Sequence, residues 1–75
     1  MPREIPIEGE TIRLGQLLKL AGVVDSGSEV RALLAAEPAL VNGEPESRRG
    51  RQLRVGDAVL VAGRQLSIVA RPRSR

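Results

Sequence analysis

The stretch Val41-Asn42-Gly43-Glu44-Pro45-Glu46-Ser47-Arg48-Arg49-Gly50-Arg51-Gln52-Leu53-Arg54-Val55-Gly56-Asp57 sets two chain reversals around a cluster of arginines. Asn42-Gly43 follows a short apolar run and suits a tight turn, because both residues tolerate positive φ. Val55-Gly56-Asp57 turns the chain again ahead of the apolar run Ala58-Val59-Leu60-Val61. Between the turns lie the guanidinium groups of Arg48, Arg49, Arg51 and Arg54 on a short polar connector. Arginine forks match phosphate oxygens two at a time, so such a connector points to a phosphate-bearing partner. The competing expectation is a solvated loop whose arginines pair with Glu44 and Glu46.

Upstream of this stretch the pattern is helical. Leu14, Leu17, Leu18 and Ala21 fall at i, i+3, i+4 and i+7, which places them on one stripe of a helix beginning near Thr11 and ending at Gly22. Lys19 lies about 150° around the wheel from that stripe and is expected to be exposed. Ser26-Gly27-Ser28-Glu29 fits a capping box: Ser26 caps the first turn of a second helix and Glu29 reaches back to the Ser26 amide. That helix carries Val30, Leu33 and Leu34, with Arg31 on the flank, and stops before Pro38 because a residue preceding proline is pushed out of helical geometry. Arg3-Glu4-Ile5-Pro6-Ile7-Glu8 reads as a short edge strand, since proline is tolerated only where no ladder hydrogen bond is required. Downstream, Leu40-Val41 starts a strand, and Ala58–Ala62 and Gln65–Ala70 form a hairpin about Gly63-Arg64. The fold class is therefore α+β, with a two-helix hairpin packed on a small, largely antiparallel sheet. Residues 1–70 are expected to make one domain, with 71–75 a basic tail that has nothing apolar to bury.

Composition narrows the chemistry. A chain of 75 residues buries only about 60% of its unfolded surface, yet 22 Leu, Ile and Val residues supply a small two-layer core. Phe, Tyr and Trp are absent, which disfavours the single-strand binders that stack bases on aromatic rings and favours recognition by shape and phosphate contact. Without histidine or cysteine there is no thiol nucleophile, no usual zinc ligand set and no imidazole base. No catalytic constellation, metal site or cofactor motif is evident, and a non-enzymatic protein is expected. No apolar run is long enough to cross a bilayer, and Met1-Pro2-Arg3-Glu4 does not open a signal peptide, so a cytoplasmic location is expected. Charge is segregated. Residues 1–41 carry four basic groups against six acidic ones, net −2, whereas residues 42–75 carry eight arginines against three acids, net +5. A basic second half and a pI near 11.0 fit a nucleic-acid partner.

The order of parts resembles the S-four domain, the RNA-binding module named after the fourth small-subunit ribosomal protein. The resemblance covers roughly residues 12–62: helix, tight link, capped helix, short strand, Val41-Asn42-Gly43 turn, basic loop, then Val55-Gly56-Asp57 before a strand. Leu14-Gly15-Gln16-Leu17-Leu18-Lys19, Asp25-Ser26-Gly27, and Val41-Asn42-Gly43-Glu44-Pro45-Glu46 with Arg48-Arg49-Gly50-Arg51 look like the small stand-alone bacterial members of the YaaA and YbcJ type. The resemblance implies the alpha-L motif, no catalysis, and docking on structured RNA, commonly ribosomal. It also implies RNA-binding roles for Lys19, Arg31, Arg48, Arg49 and Arg51. Three positions depart from the pattern: Gly27 stands where many S-four domains carry arginine, Gln52 where related members often carry lysine, and Pro38 where a polar residue or glycine is usual. Two other readings are a protein-interaction module docking on an acidic surface of a ribosome-associated factor, and an accessory RNA-binding subunit of a separate enzyme.

Overall fold

The computed structural model describes residues 2–72. Its elements are β1 (Arg3–Ile7), β2 (Thr11–Arg13), α1 (Leu14–Leu20), α2 (Gly27–Ala36), β3 (Ala39–Val41), β4 (Glu44–Glu46), β5 (Gln52–Arg54), β6 (Ala58–Val61) and β7 (Arg64–Ala70). Two helices and a mostly antiparallel sheet make the expected α+β fold. The main sheet has the order β1-β7-β6-β3-β4, and β2 pairs with β5 in a separate two-stranded ribbon. β1 runs parallel to β7, from Arg3 beside Leu66 to Ile7 beside Ala70, while the other pairs are antiparallel. As its proline requires, β1 is an edge strand.

Alternation along the strands turns Ile5, Ile7, Val41, Val59, Val61, Leu66 and Ile68 to one face of the sheet, all buried. The stripe of Leu14, Leu17 and Leu18 on α1, with Ala21 just after it, is no more than 1% exposed at any position and joins them in one core cluster. Burying side chains of this size is worth about 1.5–3 kcal/mol apiece, and it is this apolar layer that holds the domain together. The C-terminal end of α1 closes on Gly22 at φ +74°, and the Arg3 guanidinium donates to the Ala21 carbonyl oxygen at 2.7 Å. α2 ends at Ala36, and Glu37 before Pro38 is extended at φ −157° and ψ 125°, as the proline dictates.

Several local expectations are corrected. Thr11–Arg13 is a strand, not the first turn of α1, and its partner β5 lies inside what reads in sequence as loop. Three-residue strands are too short to show alternation. α1 also lacks a capping side chain at Arg13; the loop supplies the acceptors instead, with Leu14 N–H donating to the Arg51 carbonyl at 2.9 Å and Gly15 N–H to that of Arg49 at 2.8 Å. In the capping box, Ser26 Oγ accepts from the Glu29 amide at 3.3 Å, but the Glu29 carboxylate accepts from the amide of Asp25 at 3.1 Å, one residue earlier than expected. The β6–β7 turn is Ala62-Gly63, at φ +50° and +74°, with Val61 facing Arg64. Sequence points one residue too far because alanine seldom occupies a left-handed position. The expected tail is held at its first residue, where Arg71 N–H donates to the Ile7 carbonyl at 3.1 Å and the guanidinium meets Glu8; its residues 73–75 lie outside the described residues. No helix among the described residues is long and apolar enough to cross a membrane.

Candidate nucleic-acid interface

The basic connector is short because strands bound it on both sides: β4 ends at Glu46 and β5 begins at Gln52. Three bonds fix the turns that aim it. Asn42, at φ +51°, donates from Nδ2 to Asp57 Oδ1 at 3.0 Å and accepts the Ala58 amide on Oδ1 at 2.9 Å. Asp57 Oδ2 in turn accepts the Arg54 amide at 2.8 Å. The two turns flanking the arginines are thus tied to each other.

Glu46 anchors the loop from within. It is the one charged side chain in the core among the described residues, 7% exposed, because alternation along β4 points it to the side that Ala39 faces from β3. Its carboxylate accepts the Arg48 amide at 2.9 Å, Arg48 Nε at 3.1 Å and Nη2 at 3.2 Å, and Arg51 Nη1 at 3.1 Å. Hydrogen bonds from the Arg48 side chain, then from its amide, then from Arg51 lower the Glu46 pKa from 4.5 to about 2, against the opposing effect of burial. Glu46 in turn raises the pKa of Arg48. A buried carboxylate needs such partners. The pairing expectation is therefore met for Arg48 and Arg51 through Glu46, and the three groups together carry a net +1.

Arg49 is placed differently. The loop passes so close to α1 that a Cβ at Gly15 would stand 3.3 Å from Arg49 Cβ, 3.4 Å from its carbonyl oxygen and 3.4 Å from Val30 Cγ1. Its guanidinium reaches α2, with Nη1 3.7 Å from where a Cβ at Gly27 would be. Gly15 lets the arginine cross α1 closely, and its guanidinium comes to lie at α2 near the spot where S-four domains often start an arginine side chain. Gly15 and Lys19 are i, i+4 on α1, and Gly27 and Arg31 are i, i+4 on α2, so each helix places a cation one turn beyond its glycine on the same face.

A shallow groove of about 230 Å³ opens here, lined by Gly15, Lys19, Gly27, Val30 and Arg49, and also by Arg13. No carboxylate lines it. Of the sequence-predicted residues, Lys19 and Arg49 meet in this groove, Arg31 is exposed on α2 one turn beyond Gly27, and Arg48 and Arg51 pair with Glu46 and do not line the groove. Sequence reading missed Arg13, whose place at the end of β2 is set by pairing with Gln52. It missed the loop-fixing role of Glu46 as well. The ion pairs among the described residues are Arg48–Glu46, Arg51–Glu46 and Arg71–Glu8, so the cations of Arg13, Lys19, Arg31 and Arg49 are not neutralised by a protein carboxylate.

Fold and groove together define a small α+β domain that presents unneutralised positive charge where a loop crosses two helices. The chain belongs to the S4 domain family, whose pattern matches residues 5–69. It is 49% identical over 63 residues to the probable ribosome maturation protein RlbA of Bacillus subtilis (strain 168), a match covering 84% of this chain and 89% of that protein.

Proposed function

We propose that this chain is a non-enzymatic RNA-binding protein of ribosome maturation, working in the cytoplasm and recognising structured RNA, ribosomal above all, by phosphate contacts and shape. The observation that carries the reading is the carboxylate-free groove with Arg13, Lys19 and Arg49 on its rim, in a member of the S4 domain family similar to a protein named for ribosome maturation. α1, α2 and the loop would act as one alpha-L surface of a single domain over residues 1–70, with Arg31 and the open side of Arg48, which is 77% exposed, extending the contact. Arg51, 34% exposed, would contribute mainly by fixing the loop. Lacking histidine and cysteine, the chain would bind and position RNA while any covalent chemistry falls to another protein.

The test is binding to purified bacterial ribosomal RNA over a range of salt. If about four to five phosphates are neutralised, the log–log salt slope should be about −3 to −4, from roughly −0.7 to −0.9 per contact. A slope near zero, or capture of ribosomal partners that survives nuclease digestion, would replace this reading with that of a protein-docking module.

A further inference from the structure

We infer that the groove is a seat for RNA backbone phosphates, with Arg13, Lys19 and Arg49 each supplying one contact, whereas Arg48 and Arg51 serve chiefly to hold the loop. This rests on the RNA-binding reading above. It assigns a binding role to Arg13 and divides loop arginines that are indistinguishable by charge.

The argument begins with what the groove offers an anion. At the start of α1 the Leu14 and Gly15 amides are taken by the loop carbonyls of Arg51 and Arg49. At the start of α2 the Glu29 amide is taken by Ser26 Oγ. Full charge comes from side chains, and the three cations of the groove reach it from three separate elements: Arg13 from β2, Lys19 from α1 and Arg49 from the loop. Each is exposed, and none is in an ion pair among the described residues. Three unpaired cations around one concavity suit adjacent phosphates of one strand, and each planar guanidinium can take two oxygens of its phosphate.

Arg48 and Arg51 are differently committed. Glu46 takes Nε and Nη2 of Arg48 and Nη1 of Arg51, and its grip on the Arg48 amide sets the backbone that carries Arg49 over the glycines. Glu46 is thus a positioning residue: it spends the charge of two arginines to aim the third.

Four single variants divide the possibilities in filter binding to purified bacterial ribosomal RNA across a salt series. Arg13→Gln and Arg49→Gln should each make the log–log slope shallower by about 0.7–0.9, the loss of one phosphate contact, with an unchanged melting temperature. Arg51→Gln should lower the melting temperature and leave the slope within error of wild type. Arg54→Gln removes the same charge from β5, outside the groove, and should change neither. A wild-type slope in Arg13→Gln, or an equal fall in Arg54→Gln, overturns the seat while leaving RNA binding intact. If the wild-type protein retains no RNA, the RNA reading falls, and inorganic pyrophosphate decides the seat by NMR. Selective shifts of the Arg13 and Arg49 side-chain resonances, with Arg54 unmoved, would sustain it, and no selective shift would overturn it.

Discussion

Glu46 occupies a position where its neighbours in the sheet are apolar, and its charge is tolerated only because four donors from the loop converge on it. Its pKa of about 2 in the fold, against 4.5 for the free group, gives the interaction a defined pH dependence. A depressed carboxylate contributes its stabilisation in full above the unfolded value and loses it as pH falls through the folded one. Wild-type stability should therefore decline between pH about 4.5 and about 2 from this group. Glu46→Gln keeps the shape but not the charge. It should be less stable than wild type at neutral pH, with the difference closing toward pH 2, as thermal melts at several pH values would show. A constant difference across that window would mean that the Arg48 and Arg51 bonds do not depend on ionisation. Its pairing with the loop arginines could be read from the sequence, but its burial could not, since there it is one of two glutamates beside four arginines. The alternation that buries it belongs to a three-residue strand whose existence depends on its partner.

At the scale of elements, the two turns around the arginines behave as one unit because Asp57 bonds both Asn42 and the Arg54 amide. Asp57→Ala removes both bonds. At about 0.5–1.5 kcal/mol each for exposed groups, the expected loss is about 1–3 kcal/mol, measurable by urea denaturation, and hydrogen exchange should quicken at Arg54 and in the β3–β4 turn together. Quickening at Arg54 alone would show that the turns are independent. The long α1 stripe, the Asn42-Gly43 turn and the proline stop of α2 were legible because each rests on local chemistry of a few residues. Strands β2, β4 and β5 were not: each has three residues, too few to carry a period, and none holds an apolar pair like the Leu40-Val41 that marked β3. The start of α1 was misplaced for a related reason: its first acceptors come from residues 49 and 51, more than thirty positions away. Arg13 was lost with it, whereas Lys19, seated on the helix the sequence does announce, was found.

For the molecule as a whole, core and groove are built from different residues and should fail separately. Leu17 is fully buried, and Leu17→Ala should cost about 2–5 kcal/mol, a large part of what so small a domain possesses. Arg49 is exposed, and Arg49→Ala should leave the melting temperature within about a degree or two of wild type while weakening RNA binding. Calorimetry on both variants checks this directly. Comparable destabilisation by the two would make Arg49 a packing residue. The charge segregation seen in the sequence is largely regrouped in three dimensions. Arg13 and Lys19 come from the acidic half, Arg49 from the basic half, and folding brings them to one groove.

The parallel pairing of β1 with β7 has a consequence for how this fold could be re-engineered. In a protein whose terminal strands are antiparallel, the start of one and the end of the other are neighbours, and a short bridge can join them. Here β1 begins beside Leu66 and β7 ends beside Ile7, so those two points lie a full strand apart, about 13 Å for four steps of about 3.3 Å. A circular permutant would need a bridge of at least about four extended residues laid along the outside of the edge strand. An in-line fusion meets no such demand, because a polypeptide threaded through the domain arrives at one side and departs at the other.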